Sequence, residues 1–220
     1  MSAAPEVLAN VKSRFEVVAI AASVGGLPAL RAVLAVLPAE FPCAIIVIQH
    51  RTPEQETSGI FVDLLKRRCA LPVREASHEE QLVPGTVFLA PARRNLIVDQ
   101  NRSLHIVPSI GHPHNASAAD KTLISLATIF RKHLIAVILT GSNRDGATGV
   151  AAVKAAGGRV LIQDAESAMS FGMPGAALCT GCVDFILPVN KIGPALVAFT
   201  MHNGAADLFR VPVPHWAHLD

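Results

Sequence analysis

Three side chains of types that act together in acyl transfer stand where apolar runs of the sequence break off. Ser23 follows "EVVAIAA" (16–22), His50 follows "CAIIVIQ" (43–49), and Asp145 lies in "GSNRDGATG", just after "LIAVILT" (134–140). A serine hydroxyl is a weak nucleophile at neutral pH. It needs a base within hydrogen-bond reach, and that base needs a third group to fix its tautomer. Hydroxyl, imidazole and carboxylate are suitable types for those roles. Gly25-Gly26 adds a backbone turn into a helix, where free N–H groups and the helix dipole favour negative charge such as a developing oxyanion. Donors so placed are worth about 3–4 kcal/mol each in typical enzymes.

Each residue alone has a plainer reading. Ser23 could cap the helix after it. His50 could bond to backbone at a strand end. Asp145 could cap the helix 146–156 or make an Asx-turn. The elements that position them favour the joint reading. Apolar, β-branched runs alternate with helical patterns: strands at 16–22, 43–49, 134–140 and 159–164, and helices at 27–37, 57–69, 118–132, 146–156 and 190–201. "LPVREA", "GTVFLAP" and "CVDFILP" read as shorter strands, 174–180 as a short helix, and 95–107 as a hairpin turning at Asp99–Arg102. The expected fold is α/β: a doubly wound, mostly parallel sheet with helices on both faces and one β-hairpin. Ligands of such sheets bind beyond the carboxyl ends of the strands, which is where Ser23, His50 and Asp145 fall. Their chain order, Ser…His…Asp, differs from the Ser…Asp…His of α/β-hydrolases and implies a different lineage.

The totals bound the alternatives. With 220 residues, 51% of them hydrophobic, the chain can form one sizeable core, and a single domain over 1–220 with its core at about 15–200 is expected. Mean hydropathy is high, +0.42, yet no apolar run approaches the ~20 residues of a membrane span. "MSAAPEVLANVKSRFE" has no basic start followed by an apolar block, so a cytoplasmic protein is expected. Net charge is +2, the tightest basic cluster is Lys66-Arg67-Arg68, and tyrosine is absent; nucleic acid is not an expected partner. Cys179 and Cys182 form a C-x-x-C that precedes a strand rather than opening a helix, and Cys43 and Cys69 are far apart, so all four read as small buried thiols. His112 and His114, in the polar loop "SIGHPHNAS", lack carboxylate or thiolate help nearby, and neither a metal nor a cofactor is expected.

The segments around these residues resemble the catalytic domain of the chemotaxis protein-glutamate methylesterase family, CheB. Its motifs "IGASTGG", "VQH", "LTGMGxDGAxG" and "QD…GMPxxA" correspond to "IAASVGG" (20–26), "IQH" (48–50), "LTGSNRDGATG" (139–149) and "QDAESAMSFGMPGAA" (163–177). "LPAEFP" (37–42) and "VFLAP" (87–91) fit as well, and the likeness runs over about 15–200. Ala21, Val24, Ser142 and Asn143 stand where the family has Gly, Thr, Met and Gly.

The resemblance implies Ser23 as nucleophile, His50 as general base and Asp145 as its orienting residue. Val24, Gly25, Ser142 and Met173 would supply oxyanion or substrate contacts, Met173 from a Gly172-Met173-Pro174 loop bordering the site. It implies hydrolysis of glutamate γ-methyl esters, and of glutamine side-chain amides, on the cytoplasmic helices of a chemoreceptor, without a cofactor. About a dozen residues precede the first strand, so a stand-alone domain without the family's receiver is expected: unregulated, regulated by a separate response regulator acting in trans, or working outside classical chemotaxis. The alternatives are a non-catalytic receptor-binding module of the same fold, and an esterase or amidase for small molecules.

Overall fold

The computed structural model describes residues 14–51, 59–109 and 118–202. Seven strands form one parallel sheet in the order β10-β9-β8-β1-β2-β5-β3. In chain order these are β1 (Val17–Ala22), β2 (Ala44–Gln49), β3 (Val73–Glu75), β5 (Val87–Leu89), β8 (Leu134–Ile138), β9 (Arg159–Gln163) and β10 (Phe185–Leu187). A second, antiparallel sheet runs β4-β7-β6, from β4 (Glu80–Gln81), β6 (Arg94–Val98) and β7 (Ser103–Pro108). The expected hairpin is β6–β7. Its turn is tied by the Asp99 side chain, which accepts from the N–H groups of Asn101 and Ser103. The two-residue β4 escapes sequence reading because it is too short to show a period.

β1, β2 and β8 are buried on both faces, which is why they read as unbroken apolar runs. Val18, Ile20, Ala22, Ile45, Val47 and Leu139 point to one side, against α1 (Gly26–Leu34), α2 (Ile60–Lys66) and α6 (Val189–Met201). Val17, Ala19, Ala21, Ile46, Ile48 and Ile138 point to the other, against α3 (Ala118–Phe130), α4 (Ala147–Ala155), α5 (Gly172–Leu178) and the small sheet. Helices therefore cover both faces, as the βαβ pattern requires.

Several boundaries differ from expectation for local reasons. The first helix starts at Gly26, because Gly25 takes a left-handed φ of 75° as its N-cap. Ser23 is two residues too early for that role, and its hydroxyl makes no cap bond. Gly172-Met173-Pro174 is not a bordering loop but the first turn of α5. Ala21 lies inside β1, fully buried between Ile48 and Ile138, so its methyl fills core rather than straining a turn. Cys43 is buried, but Cys179 is exposed at the end of α5. The loop with His112 and His114 and the Pro-rich tail lie outside the described residues. Among the described residues, no helix is long and apolar enough to cross a membrane.

Candidate active site

The parallel ladder continues one residue past the carboxyl ends of the central strands. Ser23 N–H donates to Thr140 O at 2.9 Å, and His50 N–H donates to Ala22 O at 3.1 Å. Ala22 pairs with Gln49, so Ser23 and His50 are the next register neighbours on strands about 4.8 Å apart. Alternation sends both side chains to the face covered by α3, α4 and α5. The same two chain ends are stapled by Gln49, whose Nε2 donates to Ser23 O at 2.9 Å and to His50 O at 2.8 Å. Gly26 is required beside it, since a Cβ there would lie 2.0 Å from Gln49 Oε1.

Asp145 reaches the site from the β8–α4 loop. Its carboxylate does not cap its own helix; Gly146, at φ 101°, is the N-cap of α4. Instead Asp145 sits on the N-terminus of α3, where Oδ2 accepts from Ala119 N–H at 2.9 Å and Oδ1 from Asp120 N–H at 3.0 Å. Oδ2 also meets His50 Nε2 at 2.7 Å. The Asp145 side chain is 2% exposed and that of His50 18%. A carboxylate only accepts, so the proton of this contact belongs to His50 Nε2. The other ring nitrogen, Nδ1, lies 3.0 Å from Asn143 Nδ2. The Ser23 hydroxyl is half-buried and makes no hydrogen bond with any described residue.

The capping is reciprocal. Asp120, on α3, accepts the N–H groups of Gly146 and Gly149 at the start of α4, at 3.0 and 2.8 Å. Burial pushes the Asp120 carboxyl above its ordinary range. The neighbouring Asp145 charge adds to this, while the Gly149 and Gly146 donors pull the other way. Across the interval between the ordinary and the raised value, the folded protein holds a proton that the unfolded chain has released. Stability therefore falls as pH rises through that interval, and the ionised carboxylate weighs against the fold above it. Asp120→Asn keeps the acceptor and removes the charge. It is expected to melt above the wild type at neutral pH, with the gap closing as pH is lowered toward the ordinary aspartate range; thermal melts across a pH series read this out.

The floor of the site is backbone held by side chains. Thr140 N–H donates to Gln163 Oε1 at 2.9 Å, and Thr140 Oγ1 donates to Val24 O at 2.8 Å while accepting from Ser170 N–H. Gly141 uses both its polar groups, donating to Ser170 O and accepting from Met173 N–H. It therefore cannot serve as an oxyanion donor. The N–H groups of Val24, Gly25, Ser142 and Asn143 find no acceptor among the described residues. Met173 is 1% exposed and packs under Gly141, where a Cβ would meet its sulfur. It supports the loop from beneath and offers no surface for substrate. Met169, 71% exposed beside Gly25, and Val24, 46% exposed, give the rim an apolar character instead. Gln49, Thr140, Gln163 and Asp120 had no assigned part in the sequence reading. Gln49 and Gln163 do lie in the "IQH" and "QD" segments, but their partners are set by packing across the sheet.

Known proteins carry the same arrangement of segments. The family model described as CheB methylesterase matches residues 18–196. A protein-glutamate methylesterase/protein-glutamine glutaminase of Carboxydothermus hydrogenoformans is 38% identical over 192 residues, 85% of this chain and 56% of the relative. One from Myxococcus xanthus is 38% identical over 185 residues, 83% of this chain and 53% of the relative. The chain thus spans about half the length of these curated relatives. The crystal structure of the Thermotoga maritima CheB methylesterase catalytic domain superposes with a TM-score of 0.78 at 34% identity, covering 84% of this chain and 99% of that domain. A family match over most of the chain and a shared fold over the whole of a catalytic domain lead to one conclusion: the chain belongs to the CheB methylesterase family.

Proposed function

We propose that the protein hydrolyses glutamate γ-methyl esters on chemoreceptor helices, and glutamine side-chain amides by the same route, through Ser23, His50 and Asp145. The observation that carries this reading is the 2.7 Å His50–Asp145 contact on the strand next to a serine hydroxyl that bonds no described residue. Asp145 holds the imidazole proton at Nε2, which leaves the Nδ1 lone pair as the base. Ser23 Oγ attacks the ester carbonyl carbon as Nδ1 takes the hydroxyl proton. The tetrahedral oxyanion is met by backbone N–H groups of Val24, Gly25 and Ser142. Nδ1–H then protonates the departing methoxide, and methanol leaves a γ-glutamyl ester on Ser23. Water, deprotonated by the same nitrogen, attacks that ester and releases glutamate and free Ser23. Only proton transfer and acyl transfer occur, which the three side chains and the backbone donors can provide.

The relatives' names supply the substrate, a protein glutamyl ester or glutamine. The exposed, apolar rim at Val24 and Met169 suits an ester on a protein surface, which enters without a deep pocket. The decisive experiment measures methanol released from methylated chemoreceptor fragments, alongside mass-spectrometric mapping of a serine-directed phosphonate adduct. Methanol release together with an adduct on Ser23 is expected. No methanol and no adduct would leave the receptor-binding module as the reading. Rapid hydrolysis of simple esters with no action on receptor would favour a small-molecule esterase.

A further inference from the structure

Asn143 is the one side chain on the described face of the site that touches His50 from the side opposite Asp145. Its amide is oriented by an independent contact: Oδ1 accepts the Asp145 N–H at 3.2 Å, so the NH₂ end is the one that lies 3.0 Å from His50 Nδ1. An amide NH₂ only donates, so Nδ1 must accept, which agrees with the proton that Asp145 places on Nε2. Two neighbours on opposite sides of the ring therefore demand the same tautomer. The second of them also fills the accepting lone pair. That lone pair is the one the Ser23 hydroxyl needs, and the hydroxyl is unbonded among the described residues. Asn143 is half-buried, in a loop whose neighbours Ser142 and Arg144 are exposed, so the amide lies at the surface rather than locked in the core.

We infer that Asn143 is a positioning residue that sets the His50 tautomer and occupies the base nitrogen at rest, yielding it to the Ser23 hydroxyl when substrate enters. The tautomer half stands on geometry alone; the yielding half rests on the esterase reading above. The two halves predict variants of opposite sign. Asn143→Gly removes the competitor for Nδ1 and leaves Asp145 to hold the tautomer. Ser23 should then react with a fluorophosphonate about fivefold faster, the factor that one neutral hydrogen bond represents. Asn143→Asp has the same shape and keeps an acceptor for the Asp145 N–H, but turns an acceptor toward Nδ1. The ring is then drawn to carry both protons between two carboxylates, the lone pair is lost, and labelling should slow by at least roughly a hundredfold, the size of a general-base contribution. A merely structural role predicts the reverse order, with the isosteric aspartate mild and glycine harmful.

The test uses the whole chain labelled with ¹⁵N at histidine, His50 being assigned by its loss in His50→Gln. In the wild type above neutral pH, His50 Nδ1 is expected to resonate as an unprotonated nitrogen and Nε2 as a protonated one; in Asn143→Asp both are expected to be protonated. Fluorophosphonate labelling rates for wild type, Asn143→Gly and Asn143→Asp are measured on the same preparations. A protonated Nδ1 in the neutral wild type overturns the inference, as does slower labelling of Asn143→Gly or wild-type labelling of Asn143→Asp. Failure of wild-type Ser23 to label at all overturns the esterase reading and the yielding step with it, while the nitrogen spectrum still decides the tautomer.

Discussion

Ser23→Ala is expected to lower methyl-ester hydrolysis by about 10⁴–10⁶-fold, the range found when the nucleophile of a serine hydrolase is removed. The loss should fall on kcat. On the proposed mechanism no acyl-enzyme forms without the hydroxyl, whereas the exposed rim residues Val24 and Met169 are unchanged, so KM should move little. His50→Gln should cost a similar factor, and the double variant little more than either single one, because the proposed nucleophile and base act in the same step. The structure adds a control that many nucleophile variants lack. The Ser23 hydroxyl bonds to no described residue, while its N–H and C=O, which bond Thr140, Gln49 and Gly26, survive the substitution. Stability should therefore stay within about 0.5 kcal/mol of the wild type, as for a substitution that removes no packed or bonded group. A melting curve superimposable on the wild type beside a collapsed methanol-release rate is the expected pair of results. A Ser23→Ala protein that retains a tenth or more of the activity would remove Ser23 from the chemistry.

The fold was legible because its central strands are buried on both faces. Runs such as "VVAIAA" and "AIIVIQ" can only be interior parallel strands when helical patterns separate them, and the sheet edge carrying Ser23 and His50 follows from topology. Contacts set by distant packing were not legible. Asp145 looks like a cap for the helix it precedes, but the αL glycine at 146 takes that position and frees the carboxylate for a helix start 25 residues earlier in the chain. Ser23 looks like a cap for the same reason, until Gly25 supplies the turn. Met173 looks like a pocket residue in its motif, yet the first turn of α5 drives it under Gly141. In each case a local signal was outcompeted by a left-handed glycine or by a side chain's direction from its helix, and neither is written in residue type alone. Asn143 is the extreme example: its role depends on which end of an amide faces a ring, and only the bond from Asp145 N–H settles that.

Asp145→Asn should cost up to about 10⁴-fold in kcat, the full figure being the penalty that a reversed histidine tautomer carries in serine proteases. The carboxylate accepts three donors, His50 Nε2–H and the N–H groups of Ala119 and Asp120, with two of them on Oδ2. An amide has one acceptor. With its NH₂ in the place of Oδ2 it faces both His50 and Ala119, and the imidazole can satisfy it only by moving its proton to Nδ1, which ends its use as a base. With its NH₂ in the place of Oδ1 it faces Asp120 N–H, at a helix start that cannot turn away. Either orientation leaves a buried donor opposed by a donor, so about 1–3 kcal/mol of stability should be lost as well. This sets Asp145 apart from the carboxylate packed beside it. Asp120 accepts backbone N–H groups, those of Gly146 and Gly149 on one oxygen that asparagine reproduces, with Thr148 N–H beside them, and its charge is unwelcome where it sits. Two Asp→Asn substitutions at one helix junction should therefore diverge: Asp120→Asn gains stability at neutral pH and keeps its activity, and Asp145→Asn loses both. Should Asp145→Asn hydrolyse receptor methyl esters within tenfold of the wild type, His50 would not depend on this carboxylate for its tautomer. The pair would then be a structural contact at the start of α3, not the source of the base.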